Sequence, residues 1–198
     1  MLVKICGITR VEDAKAAVEA GAGALGFVFW PESPRFIDPF RARAIVQELP
    51  PFVATTGVFV NQGIREVNEI ACLVPLCVAQ LHGDEDPDFA LATNRPVVKA
   101  VGSETAMARA SIWPDRVMLL VDAHDAERRG GTGTVADWRA AAALARQRRV
   151  LLAGGLRPDN VAAAIAAVKP FGIDVSSGVE SAPGVKDHAL IKALFEAL

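Results

Sequence analysis

The sequence has few cysteines and little net charge, and both shortages exclude classes of protein. It contains 3 cysteines in 198 residues, and 21 basic side chains nearly balance 23 acidic ones. Three cysteines do not form the even-numbered set of disulfide pairs that is typical of a small secreted domain. We therefore expect reduced thiols in a cytoplasmic protein. A net charge of −2 indicates no nucleic-acid partner. We interpret the small basic cluster Arg146, Arg148 and Arg149 as a solvated helix end.

Signals for export, membrane insertion, metals and nucleotides are also missing. The segment Met1–Gly7 lacks the basic stretch and long apolar run of a signal peptide. No apolar run reaches the roughly 18 residues that a membrane span needs. The histidines at 82, 124 and 188 are scattered, and Cys72 and Cys77 lie in a Leu/Val run, so we expect no metal site. No G-x-G-x-x-G motif follows the first predicted strand, which argues against a dinucleotide cofactor.

The sequence does contain a regular alternation of short apolar runs and longer helical patterns. Several runs are apolar on both faces, which is typical of parallel strands covered by helices. The predicted strands are Leu2–Cys6, Ala24–Phe29, Thr56–Val60, Val78–His82, Val97–Val101, Val117–Asp122, Val150–Ala153 and Ile173–Ser176. The predicted helices are Asp13–Ala20, Phe40–Leu49, Gly63–Leu73, Asp86–Thr93, Glu104–Ser111, Val135–Gln147, Asn160–Val168 and Asp187–Leu198.

Local signals mark several helix ends. Thr9 and Glu12 have the spacing of a capping box, and Gly21 is a C-terminal stop. Asp38-Pro39 opens the second helix. Strict alternation without a change in composition predicts one domain, residues 1–198, folded as a closed (β/α)8 TIM barrel. A doubly wound open sheet is the alternative.

In such a barrel the chemistry belongs to the carboxyl ends of the strands. Cys6 ends the first strand and is either a thiolate base or nucleophile, or a small buried hydrophobic residue. Asp122 ends the sixth strand and is either a general acid, favoured by partial burial, or a cap for the next segment. Arg35, in a rigid loop after the second strand, either binds a carboxylate or phosphate or is an ordinary surface arginine.

Glycine-rich loops follow the sixth, seventh and eighth strands, and they carry Gly131, Gly133, Gly154, Gly155, Ser177 and Gly178. Their backbone N–H groups predict a phosphate site after strands 7 and 8, at the start of a short extra helix; flexible connectors and tight turns are the alternatives. His82 either donates to a substrate or is structural. Lys4 and Lys99 are either Schiff-base lysines or partners in barrel-rim salt bridges.

Taken together, these motifs make the sequence similar to phosphoribosylanthranilate isomerases over essentially its full length. The motifs, which occur in family order, are Lys4–Thr9, Ser33–Arg35, Gly57–Asn61, Gln80–Gly83, Leu119–Asp122, Gly130–Gly133, Ala153–Leu156, Asp174–Glu180 and Pro183–Asp187. One departure is Val135–Trp138, where the family more often has phenylalanine before Asp-Trp. We expect that departure to affect only the packing of a helix.

The resemblance implies an enzyme of tryptophan biosynthesis that acts by general acid and base catalysis and uses no cofactor. It implies an Amadori rearrangement of N-(5-phosphoribosyl)anthranilate to 1-(2-carboxyphenylamino)-1-deoxyribulose 5-phosphate. Asp122 matches the general acid, Cys6 the general base and Arg35 the residue that holds the anthranilate carboxylate. The phosphate would lie among the glycine loops, and Asp174 would contact a ribose hydroxyl. As a base, Cys6 must be largely thiolate, so we predict a lowered pKa for it.

Three alternatives bind similar ligands. Indole-glycerol-phosphate synthase would need a lysine acid and an N-terminal extension, and ribulose-phosphate epimerase would need metal-binding histidines at strand ends. A non-catalytic phosphosugar-binding barrel would keep the glycine loops, but it would not need both Cys6 and Asp122. The sequence is compatible with a monomer or a homodimer.

Overall fold

A closed ring of parallel strands forms the centre of the computed structural model, which describes residues 1–102, 108, 110–122 and 138–198. The strands follow one another around the ring in chain order, from β1 to β8, and β8 pairs with β1. They are β1 Leu2–Cys6, β2 Ala24–Val28, β3 Ala54–Phe59, β4 Val78–Leu81, β5 Val97–Gly102, β6 Met118–Asp122, β7 Val150–Ala153 and β8 Gly172–Val175. The predicted closed barrel and all eight predicted strands are confirmed, and the open sheet is excluded.

The described helices lie between successive strands and after the last one. They are α1 Val11–Ala20, α2 Pro39–Gln47, α3 Ile64–Leu73, α4 Pro87–Ala92, α5 Trp138–Ala145, α6 Val161–Val168 and α7 His188–Glu196. The predicted helix Glu104–Ser111 falls mainly on residues 103–107 and 109, which lie outside the described residues; residues 108 and 110 are helical. Residues 135–137 of the next predicted helix are outside them too. No helix within the described ranges is long and apolar enough to cross a membrane.

The strand side chains form two cores because successive residues point to opposite faces of the barrel wall. One face packs against the helices, where Leu25 and Phe27 of β2 are fully buried with Ala14 and Ala17 of α1. The other face points into the barrel. There a smaller apolar cluster is formed by Val98, Ala100, Leu120, Leu151 and Ala153. Burial on both faces is the physical reason that the strand sequences are continuously apolar.

Two of the helix-end predictions are confirmed and one is wrong. The Asp38 carboxylate accepts from the backbone N–H groups of Phe40 and Arg41, and Gly21 ends α1 with a left-handed φ of 116°. The predicted capping box does not form, because Arg10 is the N-cap and makes no side-chain cap bond. The Thr9 hydroxyl instead donates to the carbonyl of Gly184 (2.5 Å), so a tertiary contact takes the group that would have capped α1.

That contact joins α1 to a hairpin that the sequence analysis did not predict. A short 3₁₀ helix, Ser177–Val179, follows β8 and leads into two antiparallel strands, β9 Glu180–Ala182 and β10 Val185–Lys186. The short extra helix after β8 was predicted, whereas the hairpin was not. The hairpin brings Glu180 and Lys186 to the carboxyl end of β1.

The interpretation of the basic cluster as solvated is wrong for Arg148. Its guanidinium donates to four backbone carbonyls, which belong to Ala110, Trp113, Pro114 and Val117. Five N–H donors in a planar fork allow one arginine to bind several carbonyls of a turn at once. Arg148 therefore anchors the segment that enters β6.

Candidate active site

One pocket opens at the carboxyl ends of the strands and collects most of the predicted site residues. Its lining includes Cys6, Arg35, His82, Asp122, Asp174, Gly154, Gly155, Ser177 and Gly178. Gly131 and Gly133, the other predicted phosphate-binding residues, lie outside the described residues. Residues that are up to about 170 positions apart in sequence meet here because all strands of a parallel barrel end at the same face.

Cys6 is a buried free thiol at the end of β1. Its carbonyl accepts from the Lys186 ammonium (2.5 Å) and the Ser176 hydroxyl (3.1 Å), which fixes the end of the strand. Burial raises the pKa of the Cys6 thiol, and the positive charges of Lys4 and Lys186 only partly oppose this. The prediction of a lowered pKa for Cys6 is therefore wrong. The free energy lost when the thiolate is removed from water exceeds its electrostatic stabilisation by the two ammonium groups.

Lys4 lies inside the barrel, two residues before Cys6 on the same face of β1. Its ammonium donates to Asp174 Oδ2 (2.8 Å) and to Gln80 Oε1 (3.0 Å). Burial works to lower the pKa of Lys4, but the charges of Asp174 and Cys6 and the hydrogen bonds to them together outweigh burial, so the pKa is raised. A lysine held as an ammonium is a poor Schiff-base nucleophile, so the salt-bridge alternative holds, within the barrel rather than at its rim.

Asp174 completes this buried pair from β8. Oδ2 is bound to Lys4, whereas Oδ1 is buried and has no hydrogen-bond partner among the described residues. A buried carboxylate oxygen without a donor is costly unless a ligand supplies one. Asp174 lines the pocket, so a ligand hydroxyl that reaches Oδ1 would supply the missing donor.

Lys99, the other candidate lysine, serves a loop instead of the pocket. Its ammonium is fully buried and bonds to Glu85 Oε2 (2.8 Å) and the Gly83 carbonyl (2.6 Å). Glu85 also accepts from the backbone N–H groups of Asn61 and Gly83. The salt-bridge alternative is therefore correct for Lys99 as well, and the ion pair holds the loop that follows His82.

His82 and Asp122 face each other across the pocket from β4 and β6. His82 Nε2 lies 3.6 Å from Asp122 Oδ2, and the two side chains are 24% and 17% exposed. The other ring nitrogen, Nδ1, is 3.2 Å from the amide nitrogen of Gln80. A carboxyl group at the mouth of the barrel, partly shielded from water, is suited to donate a proton to a bound ligand.

Arg35 is held by residues of the hairpin that sequence reasoning missed. Its Nε and Nη2 donate to the Glu180 carboxylate at 2.7 to 3.1 Å, and Glu180 also accepts from Lys186 (2.7 Å). Burial alone would raise the pKa of Glu180, but the bonds from Arg35 and Lys186 hold it below its usual range. The bidentate pair orients the guanidinium, and Nη1, which takes no part in it, is the nitrogen that can meet an anionic ligand. No local pattern in the sequence indicates this pairing.

The glycine loops after β7 and β8 touch each other at Gly178. A Cβ at this position would lie 1.8 Å from the Leu156 carbonyl oxygen, so only glycine permits the approach. The contact brings Gly154 and Gly155 to the same pocket wall as Ser177. Backbone N–H groups concentrated in this way form a concavity suited to an anion.

An apolar wall completes the pocket on the side of β2 and β3. It consists of Val28, Trp30, Val58 and Val60. Trp30 packs against the small cluster of Cys6, Val28 and Val58, beside the loop that carries Arg35. Sequence reasoning missed Trp30, although an aromatic residue just beyond a strand end was a usable signal. An aromatic wall beside a guanidinium suits a flat ring that bears a carboxylate.

Metal coordination has no candidate in the part of the chain that the structure describes. Within it, His, Cys, Asp and Glu side chains form no group of three or more that could hold an ion. The pocket instead combines two carboxyl groups, one thiol and two kinds of anion-binding surface.

Comparison with known proteins agrees with this geometry. A family model described as N-(5'-phosphoribosyl)anthranilate (PRA) isomerase matches residues 3–197. The N-(5'-phosphoribosyl)anthranilate isomerase of Hahella chejuensis is 51% identical over 193 residues, which cover 96% of this chain and 90% of that protein. The crystal structure of phosphoribosyl anthranilate isomerase from Thermotoga maritima superposes with a TM-score of 0.92 at 44% identity, covering 100% of this chain and 98% of that one. A second solved isomerase, in complex with reduced 1-(o-carboxyphenylamino)-1-deoxyribulose 5-phosphate, gives 0.89 at 42%, covering 100% and 97%.

Fold and site together define a (β/α)8-barrel enzyme whose pocket is suited to acid–base chemistry on an anionic ligand. The family match is nearly complete in length and the identities are high. The chain belongs to the N-(5'-phosphoribosyl)anthranilate isomerase family, and it is an isomerase of tryptophan biosynthesis.

Proposed function

We propose that the protein isomerises N-(5-phosphoribosyl)anthranilate to 1-(2-carboxyphenylamino)-1-deoxyribulose 5-phosphate with Asp122 as general acid and Cys6 as general base. The observation that carries the proposal is that both residues line one pocket from strands on different sides of the mouth. Around the ring, β7 and β8 separate β6 from β1 on the shorter side. A sugar held between Asp122 and Cys6 can receive a proton on one face and lose a proton on another.

Ring opening is the first proton transfer. The Asp122 carboxyl gives its proton to the furanose ring oxygen, and the bond from that oxygen to C1′ breaks. The anthranilate nitrogen supplies its lone pair to C1′, so a protonated Schiff base forms and Asp122 is left as a carboxylate. His82 Nε2 lies 3.6 Å from Asp122 Oδ2 on this side of the pocket.

Loss of the C2′ proton is the second transfer. The Cys6 thiolate takes this proton, and the electrons of the C–H bond form the double bond between C1′ and C2′ of an enolamine. The nitrogen regains its lone pair and becomes neutral. Cys6, now a thiol, gives its proton to C1′ and the Asp122 carboxylate takes the enol proton, so the ketone forms and both groups regain their starting protonation states. Because burial raises the pKa of Cys6, the thiolate that this step requires is a minor fraction near neutral pH, and the positive charges of Lys4 and Lys186 favour that fraction.

Both ends of the substrate are held while the ribose reacts. Arg35 and the wall around Trp30 bind the carboxylate and ring of the anthranilate, and the loops at Gly154, Gly155, Ser177 and Gly178 bind the phosphate. Asp174 Oδ1, which has no partner among the described residues, accepts from a ribose hydroxyl. Fixing both ends converts binding energy into orientation of the reacting carbons. The enzyme works in the cytoplasm on a small phosphosugar, as a monomer or a homodimer, without nucleic acid or a membrane.

Turnover of freshly prepared phosphoribosylanthranilate tests the function. The purified protein, in buffer that contains a chelator, should remove the anthranilate-type fluorescence and yield a product of unchanged mass. A well-folded protein that leaves the fluorescence unchanged would refute the isomerase activity. Binding of the reduced product analogue without turnover would favour the non-catalytic phosphosugar-binding barrel, and turnover of another phosphosugar would favour a different isomerase or epimerase.

Replacing Arg35 by methionine should chiefly weaken substrate binding. Hydrogen bonds to charged groups contribute about 1.5–3 kcal/mol, so we expect KM to rise by about 10- to 100-fold with a much smaller change in kcat. Steady-state kinetics measure both constants, and Arg65→Met on the exposed surface of α3 is the matched control. An unchanged KM would remove Arg35 from the site.

Replacing Gly178 by alanine should separate the two phosphate loops. The added methyl group meets the Leu156 carbonyl oxygen, which is backbone and cannot swing away. We expect KM to rise about tenfold or more, because misplaced N–H groups bind an anion poorly. Gly63→Ala is the control, since a Cβ there has nothing within 4 Å. Equal KM values for the two variants would contradict the assignment of these loops to the phosphate.

The raised pKa of Cys6 predicts how stability depends on pH. Above the ordinary thiol pKa of about 8.5, the unfolded chain loses a proton that folded Cys6 still holds. Cys6 therefore contributes stability that is complete below that pH and declines as pH rises toward the folded pKa. Denaturant unfolding at pH 7 and pH 10 should show a larger loss of stability for the parent protein than for Cys6→Ser. An equal loss in both would show that burial does not raise this pKa.

A further inference from the structure

A line of four polar side chains runs through the barrel to the acid Asp122, and the proposed mechanism gives no role to two of them, Gln80 and His82. Lys4 of β1 contacts Gln80 of β4, Gln80 contacts His82, and His82 faces Asp122 of β6. Gln80 is almost fully buried, with 1% exposure, so its amide is not there for solubility. Buried polar side chains with fixed partners on both sides orient their neighbours.

Elementary donor and acceptor rules decide which way the Gln80 amide points. An ammonium group has three donors and no acceptor, so the Gln80 atom 3.0 Å from Lys4 Nζ must be the oxygen. Flipping the amide would place its NH₂ group against the ammonium, so that two groups that only donate would face each other. Asp174 holds Lys4 from its other side (2.8 Å) and so keeps the ammonium in place.

The same rules then decide the proton on His82. With its oxygen toward Lys4, Gln80 presents its NH₂ group to His82 Nδ1 at 3.2 Å. An NH₂ group only donates, so Nδ1 must be the acceptor and cannot carry a proton. The imidazole is therefore neutral with its single proton on Nε2, the nitrogen 3.6 Å from Asp122 Oδ2.

We propose that Gln80 is a positioning residue that holds His82 in the Nε2–H tautomer, and that this N–H stabilises the Asp122 carboxylate formed when the acid gives up its proton. The second half of the inference rests on the proposed role of Asp122. The opposite tautomer would direct a nitrogen lone pair at the new negative charge and would oppose the first proton transfer. The positive end of the Nε2–H dipole stabilises this charge and so favours the first proton transfer.

Nitrogen NMR of the imidazole rings reads the tautomer directly and does not require turnover. The chain has 3 histidines, so His82→Gln and His188→Gln variants assign the signals. At pH 7.5 we expect His82 Nδ1 to give the nitrogen chemical shift of an unprotonated ring nitrogen. We expect Nε2 to give the shift of a protonated ring nitrogen. In Gln80→Glu an acceptor oxygen replaces the NH₂ group, and Nδ1 should gain a proton. A protonated Nδ1 in the parent protein would overturn the proposal.

Kinetics test whether the tautomer matters for the reaction. Gln80→Met keeps the length of the side chain but has no donor for Nδ1. We expect an averaged nitrogen shift at His82 and a fall in kcat of about tenfold, with KM and affinity for the reduced product analogue changed by less than about twofold. A merely structural role would lower stability, or raise KM, without moving the nitrogen shifts. An unchanged kcat despite an averaged shift would overturn the link to Asp122.

The two readouts separate failure of this inference from failure of the proposed function. Normal turnover with the proton of His82 on Nδ1 refutes the tautomer and leaves the isomerase intact. The expected shifts in a protein that does not isomerise its substrate support the tautomer, but they refute the link to Asp122 together with the proposed function.

Discussion

Cys6→Ser should lower kcat by about 10²–10⁴-fold, the usual contribution of one positioned proton-transfer group. A serine hydroxyl at the end of β1 keeps nearly the same shape but does not ionise near neutral pH, so no base is available for the C2′ proton. Affinity for the reduced product analogue should stay within about threefold, since the proposed role puts Cys6 at the reacting carbon and at neither end of the ligand. Stopped-flow fluorescence and equilibrium binding measure the two quantities.

The chain supplies matched controls for that substitution. Cys72 and Cys77 are exposed free cysteines away from the pocket, so Cys72→Ser and Cys77→Ser should keep full activity. A Cys6→Ser enzyme with more than about one tenth of the parent kcat would assign the base to another group.

Asp122→Asn should also lower kcat by about 10²–10⁴-fold, for a different reason. The amide retains the size of the carboxyl group at the end of β6, but it has no proton acidic enough to give to the ring oxygen. The furanose then opens only as fast as it does without an acid. We expect nearly intact binding of the reduced product analogue, which is already open-chain and needs no protonation.

Asp115→Asn is the control for this variant because Asp115 is exposed in the turn before β6. It should behave like the parent protein in kcat and KM. If Asp122→Asn lost affinity for the analogue in proportion to its loss of kcat, Asp122 would be a binding residue and the acid would have to be sought elsewhere.

The fold was predictable because each strand carries its own signal. Runs such as Ala24–Val28 are apolar on both faces, and only a parallel barrel or sheet covered by helices buries both. Cys6 and Asp122 could be singled out for a related reason: they are chemically active side chains at the ends of such runs. The alternation of elements alone then placed both at one mouth.

The remainder of the site depends on contacts between residues far apart in sequence. The Arg35–Glu180 pair joins positions 145 residues apart, and Lys4–Gln80 joins positions 76 apart. The predicted pKa of Cys6 failed because two lysines and burial oppose each other there, and their balance depends on depth within the barrel. The capping box failed because Thr9 bonds to Gly184, 175 residues away.

Trapping the ring-opened intermediate tests the order and the identity of the two proton transfers most directly. Excess enzyme is mixed with phosphoribosylanthranilate and then with cyanoborohydride, which reduces a protonated Schiff base to a stable amine that mass spectrometry detects. We predict that Cys6→Ser accumulates the trapped amine, because Asp122 still opens the ring, and that Asp122→Asn gives no more than the sample without enzyme. Equal trapping in the two variants, or trapping in Asp122→Asn alone, would contradict the assignment of Asp122 as the acid and Cys6 as the base.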